Sequence, residues 1–146
     1  MADFTADFLT NRIFLATLIA GLLSQAAKII VILLIKKQKF NLHDLIVTGG
    51  MPSAHSALVG AITTIIWLTE GFTPLFFVVL TFSLIVLRDS MGVRRSVGEE
   101  GKLIEKLIKR ENMQIDNFHY SLGHTPLQVW VGLIMGIVSS LIVYYA

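Results

Sequence analysis

Apolar residues gather into four runs along the chain, at residues 13–35, 45–68, 72–87 and 127–146, with polar stretches between them. About 20 residues of helix cross a bilayer core, so the first and last runs fit easily. The third is marginal and needs tilt or a flanking turn. The second is interrupted by "GGMPSAHSA" at residues 49–57 and, counted as helix only from Ser53, is also short. The pattern predicts four membrane helices, two of them entered through polar, non-helical backbone. Residues 88–126 form a polar excursion, and within it "EEGKLIEKLIKRENM" repeats the pairs Leu103/Ile104 and Leu107/Ile108 among charges. That spacing predicts an amphipathic helix with a basic polar side, lying in the membrane interface or packed on its own protein. No internal repeat or low-complexity segment is present.

Composition supports lipid as the solvent. The 146 residues suit a single domain, 1–146, and 54% are hydrophobic against 15% charged, more apolar surface than a soluble domain of this size can bury. The fold class expected is therefore all-α, a polytopic membrane protein with about four transmembrane helices and a cytoplasmic amphipathic helix. There is no cysteine, hence no disulfide framework and no thiol chemistry. The start, "MADFTADFLTNR", is acidic, unlike a cleavable signal peptide. Net charge is only +2, and no nucleic-acid partner is expected. Its distribution says more. Ten of the twelve basic residues, Lys36, Lys37, Lys39, Arg88, Arg94, Arg95, Lys102, Lys106, Lys109 and Arg110, fall after the first and third runs. The positive-inside rule puts both loops in the cytoplasm and both termini outside, in what is expected to be a bacterial cell membrane.

The quoted stretch enters the second helix from that basic side, with Pro52 and Ser53 as helix-starting residues. "LGHTPL", residues 122–127, enters the fourth helix from the same side, with Thr125 as cap and Pro126 at the first helical position. Two helix N-termini, each carrying a histidine (His55 and His124), thus meet at one face. Their free N–H groups and positive dipole ends suit an anion such as phosphate. "RDSMGVRR", residues 88–95, and Lys28, an ionisable residue at membrane depth, join them. Each feature alone has a plainer reading: Lys28 snorkelling, Arg94 and Arg95 as topology anchors, Gly49 and Gly50 as punctuation, Asp89 as an ion-pair partner. His43 and His119 read as polar rim residues. Convergence favours function.

"GGMPSAHSA" resembles the second signature of the type 2 phosphatidic acid phosphatases, usually written P-S-G-H. With "DSMGVRR" and "LGHTPLQV" in that order, the chain from Gln25 to Gly136 resembles a small divergent branch of that superfamily, described as acid phosphatase/vanadium-dependent haloperoxidase-related. The resemblance implies metal-independent, cofactor-free phosphoryl transfer to a histidine. It makes His124 the nucleophile and His55 the general acid that protonates the departing alcohol. It assigns Lys28, Ser53, the backbone at Ala54, and Arg94 or Arg95 to the phosphate oxygens. The family's glycine is Ala54 here, and the arginine and proline that usually follow its first lysine are missing, with only Lys36 and Lys37 nearby. Arg95 and His124, close together in the family's third signature, stand 29 residues apart, and the amphipathic segment fills the gap. The acid that usually orients the nucleophile is replaced by Gln128, which leaves Asp89 and Gln128 as the two candidates for that duty.

The expected function is hydrolysis of a membrane-embedded lipid or isoprenoid phosphate monoester or diphosphate at the cytoplasmic face. The alternative is a non-catalytic module binding anionic lipid or phosphate, or a transporter component, since broken helices aimed at an anion also occur in transporters. Four helices make a thin wall around a site, which is compatible with a homodimer.

Overall fold

The computed structural model describes residues 10–35, 50–111, 113 and 123–146. Gly49, Lys36, Lys37, Lys39, His43 and His119, weighed above, lie outside the described residues. All regular structure among the described residues is helical. α1 is Arg12–Ile30, continued by one π-helical stretch, Val31–Ile35; α2 is Ala54–Glu70; α3 is Pro74–Met91; α4 is Val93–Arg110; α5 is Pro126–Tyr145. This is an all-α polytopic membrane architecture. α1, α3 and α5 are long and apolar enough to cross a membrane. α2, at 17 residues, reaches only about 25 Å at 1.5 Å per residue.

Local chemistry sets the boundaries. Asn11 caps α1 by accepting from the N–H groups of Ile13 (2.9 Å) and Phe14 (3.2 Å). Thr73 and Pro74 start α3, and Thr125 and Pro126 start α5, each pair combining a hydroxyl cap with a residue whose missing N–H would be unsatisfied anyway. Gly71, at φ +73°, makes the turn from α2 to α3. The third apolar run, marginal in length as read from the sequence, extends through Arg88, Asp89 and Ser90 before Gly92 ends it. The amphipathic helix likewise begins at Val93, earlier than its hydrophobic pairs suggest, and so carries Arg94 and Arg95 on its first turn.

α2 is the hub, packing against α1, α3 and α5, and its contact with α5 is the most extensive in the molecule. Small residues allow that contact. A Cβ on Gly132 would run into the Ser53 carbonyl oxygen, and one on Gly136 into the Ala57 carbonyl oxygen, so the two backbones touch. With lipid outside, bulky side chains gain nothing by turning inward, and close packing plus interhelical hydrogen bonds hold such helices together. The pattern fits. Ala16, Ala20, Ala57 and Ala61 are fully buried, whereas Leu22, Phe77, Phe82 and Ile134 point outward. Ser140 Oγ donates to the Ala61 carbonyl at 2.8 Å, and the Thr63 and Ser83 hydroxyls share a 2.8 Å hydrogen bond between α2 and α3. At one end, Ile13, Ile65, Ile66, Phe76 and Tyr144 cluster, and Arg12 sits over the Tyr144 ring at 5.6 Å. The starts of α2, α4 and α5 and the end of α3 gather at the other.

Candidate active site

The site end is built by short backbone links. Ser53 N–H donates to the Gln128 carbonyl of α5 at 3.1 Å, and Ser53 Oγ caps α2 by accepting from Ser56 N–H (3.4 Å) and Ser56 Oγ–H (2.9 Å). His124 N–H donates to the Ser90 carbonyl in the last turn of α3 at 3.2 Å. Gly123 lies against the backbone of Arg94 and Arg95, where any Cβ would overlap that peptide. The starts of α2, α4 and α5 therefore surround His124. Two N-termini were expected there; α4 supplies a third, and Gly92 gives it no side-chain cap. The positive dipole ends of α2 and α5 favour an anion there, while the start of α4 lies beside the negative end of α3.

His124 is buried, at 5% exposure, while His55 on the first turn of α2 is exposed. Their rings meet edge-on, with centroids 6.4 Å apart. His124 Nδ1 lies 3.3 Å from Gln128 Oε1, and that same oxygen accepts from Thr125 N–H at 3.0 Å, closing a capping box. Gln128 is thus fixed by the helix start it caps, and it fixes the imidazole in turn. Burial holds the His124 pKa below the usual 6.5, opposed first by the Gln128 hydrogen bond. The charges of His55 and Lys28 lower it further, and the Gly50 backbone raises it. Burial thus favours the uncharged form of the ring.

The cationic side chains divide. Lys28 is buried near the end of α1, and Gly50, at φ +88°, passes close to its aliphatic stem. His55 lies within the fields of Arg94, Asp89 and Lys28. Arg94 Nε pairs with Asp89 Oδ2 at 2.7 Å, and Arg95 Nε with Glu99 Oε1 at 3.1 Å, both pairs partly exposed. A cavity of about 260 Å³ opens beside His124. Arg95, Gly98, Glu99 and Lys102 of α4 form one wall, and Gly50, Gly123, Thr125 and Gln128 complete it.

Lys28, His55, Arg94, Arg95 and His124 are all brought to this end. Ser53, expected on phosphate, is fully buried, and its hydroxyl oxygen accepts from Ser56 in the cap of α2. Ala54 is half-buried at the first helical position of α2. Asp89 is hydrogen-bonded to Arg94, and the group in contact with His124 is Gln128. Sequence reasoning overlooked Lys102 and Gly123. The first stands seven residues after Arg95, hence on the same face of a helix, and the second immediately precedes the histidine. Among the described residues, no three His, Asp or Glu side chains are grouped closely enough to hold a metal ion.

The model of the divergent PAP2 family matches residues 9–139, and the chain belongs to that family. It is 32% identical, over an alignment of 155 positions, to the uncharacterized membrane protein YuiD of Bacillus subtilis (strain 168), covering 95% of this chain and 98% of the relative. No solved structure matches the chain.

Proposed function

We propose that this divergent PAP2 protein hydrolyses a lipid or isoprenoid phosphate through a phosphohistidine intermediate at the cytoplasmic face of the membrane. The observation that carries the reading is the meeting of His55 and His124 at three helix starts, beside Lys28 and the two arginines. With Gln128 Oε1 accepting from Nδ1–H, the Nε2 lone pair of His124 attacks phosphorus. His55 gives a proton to the leaving alcohol oxygen. Water then attacks the phosphohistidine, losing its proton to His55, and releases inorganic phosphate. Lys28, Arg94, Arg95 and the N–H groups at the helix starts hold the equatorial oxygens, where positioned positive charge does most of the work in phosphoryl transfer. Ser53 contributes by fixing the α2 start that carries Ala54 and His55.

Two features support a lipid as the alcohol. The site lies at the ends of helices long and apolar enough to cross a membrane. An apolar groove also runs along α3 past Thr81, Leu84 and Ile85 and ends at Arg88 and Asp89, beside the Asp89–Arg94 pair, a path suited to a hydrocarbon tail. Purified protein assayed against phosphatidate, phosphatidylglycerophosphate and polyprenyl phosphates should release phosphate from at least one, and His124→Ala should abolish the release. Binding without release, surviving His124→Ala, would favour the non-catalytic alternative.

A further inference from the structure

We propose that Lys102 is a phosphate-binding residue, carried into the site by α4 together with Arg95. Arg95, Gly98, Glu99 and Lys102 stand at i, i+3, i+4 and i+7, so one stripe of α4 faces the cavity that holds His124. Gly98, buried in the middle of that stripe, lines the cavity without a side chain. The two cations on it differ in availability. Arg95 is engaged with Glu99, whereas Lys102 has no ion-pair partner among the described residues and is exposed. Among the described residues, then, a phosphate meeting Lys102 has no ion pair to break, whereas one meeting Arg95 displaces Glu99. Its ammonium, a mobile point charge on a flexible stem, can follow an oxygen as charge moves during transfer.

The placement of α4 makes this contact durable. Gly92 alone separates the helix from α3, and Gly123 locks its first turn against the loop bearing His124. Lys106 provides the internal control. It stands one turn further along α4, is exposed, carries the same charge and does not line the cavity.

The inference deepens the proposed activity but is tested apart from it, with inorganic phosphate and vanadate as probes. Protein in detergent or nanodiscs is followed by thermal unfolding with and without vanadate, and by turnover with phosphate and vanadate as inhibitors. Loss of one charge-assisted contact weakens binding about tenfold, so Lys102→Gln should raise both inhibition constants and KM by about that factor and lower kcat less. Lys102→Arg should recover most of the loss, and Lys106→Gln should bind as wild type does. Equal weakening in Lys102→Gln and Lys106→Gln would mean a diffuse field and overturn the assignment, as would unchanged inhibition in Lys102→Gln. If wild type hydrolyses nothing yet vanadate stabilises it through Lys102, the phosphatase reading fails and the Lys102 site stands.

Discussion

Replacing Gln128 by glutamate changes one atom pair at the point where the proposed nucleophile is held. The side chain stays at the third position of α5, where an acidic residue suits both the capping box and the helix dipole, so folding should not suffer. The electrostatics change sharply. In the wild type a neutral amide oxygen stands 3.3 Å from His124 Nδ1, and burial disfavours the charged ring. A carboxylate at that distance stabilises the imidazolium, and opposite charges this close raise a histidine pKa by roughly 1–3 units. The cavity is open, so water screens the pair and the lower end, about 1 unit, is expected. Since the nucleophile must be neutral, the acid limb of kcat/KM for the wild type should lie below pH 6.5, and Gln128→Glu should move it upward by about 1 unit. Nitrophenyl phosphate is the right substrate, because its leaving group departs without a proton and removes His55 from the profile. Dividing the variant's profile by that of the wild type cancels ionisation of the ester itself. An unmoved or lowered acid limb would refute the placement of Gln128 on a nucleophilic His124.

Three further outcomes follow from the same geometry. Because the folded pKa of His124 is depressed, the unfolded chain takes up its proton first as pH falls below 6.5, and stability drops until the folded pKa is reached. Melting temperatures from pH 8 to 5 should therefore fall less in His124→Gln than in wild type, and parallel curves would contradict the shift. In kcat/KM, which ends at departure of the leaving group and excludes the water step, His55→Ala should lose about 10²- to 10⁴-fold on a lipid phosphate, the usual worth of general acid catalysis, and much less on nitrophenyl phosphate. Equal loss on both esters would remove the acid role. Gly132→Ala places a methyl against the Ser53 carbonyl, forcing α2 and α5 apart at a cost of about 1–3 kcal/mol. It should lower the melting temperature and, by shifting the two histidines, slow turnover by up to about 10²-fold per ångström. Unchanged stability would mean that the helix contact at Gly132 is looser than described.

Much of this molecule is legible in its sequence because membrane helices announce themselves by length and hydropathy, and helix starts by short polar motifs. Ser53, Thr125 and Pro126 act as read, and both histidines arrive at one end because each directly adjoins such a start. The extent of α3 was less visible. Arg88 and Asp89 look like the end of a membrane run, yet a helix continues through charged residues once it leaves the hydrocarbon. The α2–α5 contact was invisible for another reason. Gly132, Gly136 and Ala57 are ordinary residues in an apolar run, and only the facing backbone makes their smallness necessary. The roles of Ser53 and Gln128 depend on where side-chain oxygens point, which spacing does not determine. A family pattern puts Ser53 on phosphate; the fold turns its hydroxyl inward to the cap. Lys102 does not stand out in the sequence, because seven basic residues in one excursion look alike, and only the stripe of α4 that faces the cavity distinguishes it.

The central claim is that phosphorus passes through His124. Protein mixed with a ³²P-labelled substrate, quenched in alkali within the first turnovers and digested, should carry an acid-labile, base-stable label on the peptide containing His124. The label should be absent in His124→Ala and should chase into inorganic phosphate when unlabelled substrate is added. Label on another residue, or steady phosphate release by His124→Ala, would contradict the account.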